Sequence, residues 1–177
     1  GNTSSYSSSV LFTTTTPPPC SGTLITSFPY SEGFENGLGD WYDNTTNIFK
    51  WIRDSDGTPT GMTGPSLASE GTYYMYTEAD DSSGSGIATF ISPCFDLNNK
   101  SSASFNYDYS MYGSNTGSLN LEISTNDGTT WTSIWSLSGN QGTEWNTNNI
   151  NIDTYVGNYV KLRFIADMPN TGNTRSD

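Results

Sequence analysis

The chain has 177 residues, with 18 acidic and 6 basic side chains, a formal charge of −12 and no histidine. That charge argues against nucleic acid and anionic membrane surfaces, since both are held through a lysine and arginine footprint. The missing histidine removes Ser-His-Asp, Cys-His and most zinc chemistry, and leaves carboxylate and calcium chemistry open.

The length fits one domain with room for a short extra segment. No apolar run approaches the ~20 residues of a membrane helix, so membrane insertion is not expected. No signal-peptide pattern opens the chain, as expected of a mature or cut chain. Hydrophobic residues are only 32%, which alone would suggest disorder. Five Trp, eleven Tyr and eight Phe oppose that reading, because aromatic rings bury much area each. With abundant Thr, Ser, Asn and Gly, this is the profile of a secreted all-β domain. Cys20 and Cys94 lie 74 positions apart, which fits no metal motif. In an extracellular setting they form one disulfide worth roughly 2–4 kcal/mol. In a reducing compartment they would be two free thiols. The sequons at Asn2, Asn44 and Asn99 arise by chance in so Ser/Thr/Asn-rich a chain.

Residues 1–19 end in a Thr run and Pro17-Pro18-Pro19, a stiff extended spacer. Tyr6 to Thr13 has strand-like content, so the segment is either a linker or the last strand of a preceding β-module resembling fibronectin type III. Ile87 to Ile91 reads as a short buried strand closed by Ser92-Pro93. From Ser102 to Tyr112 the residues alternate. Ala103, Phe105, Tyr107, Tyr109 and Met111 share one face. Leu119, Leu121 and Ile123 repeat the pattern, Asn126-Asp127-Gly128 marks a hairpin, and Trp131 to Trp135 returns as its partner. Ser124 to Trp131 resembles an Asp-box hairpin, which is a folding device. Tyr159 to Ile165 forms another strand, with Val160, Leu162 and Phe164 set against Lys161 and Arg163. The predicted class is an antiparallel β-sandwich.

Several spaced motifs then agree with one family. Phe34-Glu35-Asn-Gly-Leu38-Gly-Asp-Trp41 resembles the "FE-x-GL-x-x-W" opening of MAM domains. Phe49-Lys-Trp51-Ile-Arg53, Thr60 to Ser66 and Gly71-Thr-Tyr73-Tyr-Met-Tyr76-Thr-Glu-Ala79 follow in family order. Ser92-Pro93, the run from Phe105 to Gly113, Gly117 to Leu119 and the block Ile134 to Trp145 complete the set over residues ~29–177. The departures are specific. The four-cysteine pattern is missing, Ser101 to Ser104 stands where a cysteine often precedes the central strand, and Leu67 to Glu70 replaces the "DHT" after Gly-Pro. Cys20 and Cys94 look like the pair of bacterial MAM modules. A closing strand resembling "DIALDDI" would follow Arg175-Ser176-Asp177, so the chain lacks that strand or Asp177 is its first residue. A sheet edge left open by it would be a template for strand addition.

The resemblance implies a jelly-roll-like sandwich over residues 20–177 with a non-catalytic adhesive role in a modular bacterial surface or secreted protein. Its partners would be an extracellular protein or a polysaccharide, next to neighbouring domains of the same polypeptide. It also implies a structural calcium or sodium ion. Glu35 matches the acid of the opening strand, Asp177 begins the closing segment, and Glu70 stands near the missing loop aspartate. The plain alternative is that these are solvated acids. The five Trp offer an alternative, a carbohydrate-binding module that targets a secreted hydrolase to polysaccharide; among them packing suits Trp41, Trp51 and Trp145, while Trp131 beside a hairpin tip is the candidate for ligand contact. No catalytic pair is expected: Asp80-Asp81 reads as a solvated loop.

Overall fold

The structure is a computed structural model describing residues 20–46, 48–78, 86–114 and 116–168. Residues 1–19, Asp80-Asp81 and Asp177, each given a reading above, lie outside them. The strands in chain order are β1 (Leu24–Ile25), β2 (Tyr42–Asp43), β3 (Trp51–Asp54), β4 (Tyr74–Thr77), β5 (Gly86–Ile91) and β6 (Cys94–Asp96). Then come β7 (Ser104–Tyr109), β8 (Ser118–Ser124), β9 (Thr132–Ser138), β10 (Asn146–Asn151) and β11 (Tyr159–Met168). One 3₁₀ turn, Asp153–Tyr155, precedes β11, and no α-helix occurs among the described residues.

The main sheet is built around β11, whose ten residues are buried or half-buried except Asp167. Lys161–Asp167 pairs with β8, which pairs onward with β9. The other edge of β11 is shared. Arg163–Met168 takes β5, and Tyr159 and Val160 take β6. β2 flanks β5, and β1 flanks β6. The β1–β6 pair is parallel, so the sheet is mixed where alternation alone predicts an antiparallel one. The break between β5 and β6 follows from Ser92-Pro93. Proline cannot donate to the ladder. Ser92 donates its N–H to Leu162 O at 2.9 Å, and its hydroxyl accepts from Leu162 N at 2.8 Å. A buried side chain thus carries the ladder across the interruption.

The facing layer consists of two separate ladders. β7 pairs with β10, and β3 pairs with β4. The alternation in β7 is as predicted: Phe105, Tyr107 and Tyr109 are half-buried, and Ser104, Asn106 and Asp108 are exposed. Tyr107 meets Phe164 edge-on at 4.9 Å and Trp135 at 5.6 Å. Trp41 stacks on Phe90 at 5.2 Å and on Phe164 at 6.1 Å. Leu121, Ile123, Val160 and Leu162 form the fully buried centre. The β8–β9 hairpin turns at Asn126-Asp127-Gly128 as predicted, with Asp127 and Gly128 both at positive φ. Ser124 Oγ receives the N–H groups of Asn126 and Gly128 across that turn.

Candidate functional site

The family-like motifs meet in space. Glu35 Oε1 accepts the backbone N–H groups of Thr72 and Tyr73 at 2.8 and 3.0 Å. Those two bonds, with Arg53 nearby, hold the Glu35 carboxyl below the usual carboxylate range. Gly71 (φ +67°) lies against the same oxygen, and a Cβ there would come within 2.5 Å of it. Arg53 of β3 donates to the carbonyls of Phe34 and Glu35 and lies over the Tyr73 ring at 3.3 Å. The opening motif, the Trp51–Arg53 motif and the Gly71–Tyr73 motif are therefore one knot that ties the first loop to β3 and the start of β4.

This bears on the ion expectation. Glu35 commits one oxygen to amide donors, Glu70 is exposed on the neighbouring loop, and Asp177 is outside the described residues. Calcium takes six to eight oxygens. Among the described residues no three acidic or cysteine side chains gather.

A second cluster gathers the start of β11 and the tip of the β8–β9 hairpin. Cys20 and Cys94 are joined in a disulfide with Cα atoms 6.1 Å apart. Beside it, Ser21 donates through N and Oγ to Asp127 Oδ1 at the hairpin tip, both at 3.0 Å. Lys161 was expected on the polar face of its strand, opposite Val160 and Leu162. Instead it is 3% exposed and pairs with Asp127 at 2.7 Å. Burial opposes ionisation of Asp127, but the hydrogen bonds from Lys161 and Ser21 outweigh it and lower its pKa. Trp131 follows this tip. Its ring lies under the Arg163 guanidinium at 4.4 Å and against Gly128, and Arg163 pairs with Glu122. Trp131 is half-buried, and one ring face is already taken. Trp41 is buried. Trp51 packs on Phe90, and Trp145 bonds Leu67 O and meets Tyr74 edge-on.

The sequence reading missed a cleft. Between the two layers lies a cavity of about 770 Å³, bounded by β4 on one side and β7 on the other and floored by Trp41, Phe90 and Phe164. Trp51 Nε1, Ser110 Oγ and Thr116 Oγ1 are buried there without a hydrogen-bond partner among the described residues. Burial of Tyr30 at its rim, reinforced by Glu32, pushes that phenol up to about 12. Loop Leu67–Glu70 crosses one end, tied down by Ser69 to Asp108 and by Trp145 to Leu67. The available signal was two inward-facing aromatic runs, Tyr73–Tyr76 and Phe105–Tyr109, that no predicted hairpin joins.

Two comparisons bear on identity. A solved structure, the K1 cleaved adhesin domain of Lys-gingipain from Porphyromonas gingivalis W83, superposes with a TM-score of 0.54 at 17% identity, over 78% of this chain and 89% of that one. At that identity the likeness is one of fold. The profile of the MAM domain, meprin/A5/mu, matches residues 33–176, the stretch that carries the Glu35–Arg53–Tyr73 knot, strands β2 to β11 and most of the cleft lining. The chain belongs to the MAM domain family.

Proposed function

We propose that this chain is a non-catalytic extracellular adhesion module that contacts another protein, as one unit of a larger secreted or surface polypeptide. Family membership and the fold likeness to an adhesin domain support an adhesive role. The disulfide supports an oxidising, extracellular setting. One observation carries the choice of a protein partner. Trp41 is buried, Trp131 gives one face to Arg163 and no tryptophan is among the exposed large apolar side chains, of which the most exposed are aliphatic: Ile48 and Met62 at 71%, Leu67 at 65% and Ile87 at 53%. Polysaccharide binding would draw on free aromatic faces; protein contact draws on aliphatic and mixed surfaces.

A second reading has its own support. On the outer face of the main sheet, Ser136 donates to Asn120 and Asn120 to Ser118, a row of hydroxyls and an amide near Arg163 and Trp131. Such a row suits sugar hydroxyls. Solid-phase binding of the whole chain to purified matrix proteins and to polysaccharides, with and without calcium, tests both readings. Saturable protein binding that Met62→Asp plus Leu67→Asp abolishes is the expected result. Binding confined to one polysaccharide and lost in Trp131→Ala would replace it with the second reading.

A further inference from the structure

We propose that residues 20–22 form a redox-latched strap: a dithiol that opens the Cys20–Cys94 disulfide frees the strap from the β8–β9 hairpin tip and turns the buried Lys161 into an exposed amine. This device stands apart from the adhesive reading and does not depend on it.

The need for a cover starts with Lys161. It lies in β11 opposite Ser124, at the base of the hairpin, and only 3% of it is exposed. A lysine is almost never buried unless it is paired. Its ammonium donates to Ser21 Oγ at 2.9 Å and lies 2.7 Å from Asp127 Oδ1. The same Asp127 oxygen accepts the Ser21 amide and hydroxyl, both at 3.0 Å. Ser21 is thus shared between a cation and an anion. It is itself exposed, so it forms part of the solvent side of the pair.

The strap is short and has a hinge. Downstream of it Thr23 is fixed twice: its carbonyl accepts from Cys94 N at 2.9 Å, and its hydroxyl donates to Asp40 at 2.8 Å. β1 follows at once, paired with β6. Gly22, at φ +83° with open space around it, separates these anchors from Ser21. Among the described residues, the covalent and hydrogen bonds that tie Cys20 and Ser21 to the rest of the fold are the disulfide and the contacts to Asp127 and Lys161. Without the disulfide only hydrogen bonds at an exposed residue remain, and each contributes little net stability against water.

The opening step is thiol–disulfide exchange. A thiolate of the dithiol attacks Cys20 Sγ, on the less buried cysteine at 6% against 0% for Cys94. A bond forms between the two sulfurs, the Cys20–Cys94 bond breaks, and Cys94 Sγ leaves as a thiolate. The second thiol of the reagent then closes on the mixed disulfide and releases Cys20 Sγ. Both cysteines are reduced, the dithiol is oxidised to its cyclic disulfide, and its two protons end on the cysteine sulfurs. Because both cysteines are buried, attack requires the strap to lift first. The latch is therefore reciprocal. The disulfide keeps Lys161 covered, and the Ser21 contacts keep the reagent from the disulfide.

Lysine acylation of the whole chain, mapped by mass spectrometry, is the test. With the disulfide intact, the N-hydroxysuccinimide ester of acetic acid should modify Lys161 at less than about one-tenth the rate of the exposed Lys50. After treatment with dithiothreitol the Lys161 rate should rise about tenfold, while the Leu162 amide, bonded to Ser92 Oγ, stays protected from hydrogen exchange. Ser21→Ala removes a hydroxyl that binds both charges, and should speed reduction of the disulfide in native buffer about tenfold. Lys161 as reactive as Lys50 before reduction, or equally unreactive before and after it, would overturn the proposal. So would Lys161 unmasked only together with loss of protection at Leu162, because the disulfide would then hold the whole fold and not a strap. A Ser21→Ala chain reduced at the unaltered rate would overturn the latch from the other side.

Discussion

Around Leu162 each strand of the main sheet has neighbours, and even the Ser92-Pro93 break is bridged by a hydroxyl. Around Trp51 the facing layer is two ladders set apart by a cleft, with buried polar atoms that lack partners among the described residues. The same aromatic and aliphatic residue types build both. The difference lies in closure: the first region is a self-sufficient core, and the second is a core with one side left accessible. Stability should therefore concentrate in the first region and binding in the second.

Removing the disulfide should show the largest effect. Cys20→Ala with Cys94→Ala frees a 74-residue separation and should cost about 4 kcal/mol in denaturant unfolding, on the chain-entropy account. Leu162→Ala, at a site 1% exposed, should cost about 3 kcal/mol by the same measurement. Asp127→Ala leaves Lys161 buried without its anion. It should cost about 2 kcal/mol, less than a fully buried pair because Asp127 remains open to water. Trp51→Phe in the cleft should cost under about 1 kcal/mol, because it removes an unpartnered N–H along with the lost volume. A Trp51→Phe cost equal to that of Leu162→Ala would break the comparison. The smallest change concerns acid. Glu35, Asp127 and Asp153 each have a lowered pKa, so their contribution is whole above the unfolded value of about 4 and is lost as pH falls through the folded values. Glu35→Gln should lower Tm slightly near pH 7 and leave Tm in acid little changed, so that the acid limb of a Tm-against-pH curve flattens.

Much of the fold could be read in advance. The alternation from Ala103 to Met111, the turn at Asp127-Gly128 and the Val160-Leu162-Phe164 stripe each state a period of two with a clear buried face. Strand β10 could not be read, since Asn-Thr-Asn-Asn-Ile-Asn has poor strand propensity. It forms because Ile150 sits opposite Phe105, and because Asn148 donates to the Tyr107 hydroxyl at 2.8 Å. The parallel pairing of β1 spans two residues and leaves no periodic mark. The buried Lys161 was hidden for a similar reason. Alternation assigns a face but cannot foresee that Ser21 and Asp127 close over it. The Glu35 knot was visible as motifs but not as hydrogen bonds, which need the third dimension.

The bridge between Cys20 and Cys94 also sets a load path. A module that holds one surface to another is pulled along its chain. Tension entering at Cys20 reaches the sulfur bridge before any of the described strands, and passes at Cys94 directly into β6, which is paired to the long central β11. β1 and the loop that carries Glu35 lie between the two cysteines in sequence and are shunted out of that path. Force from the N-terminal side is thus delivered to the best-anchored strand, while the first loop and its knot stay slack.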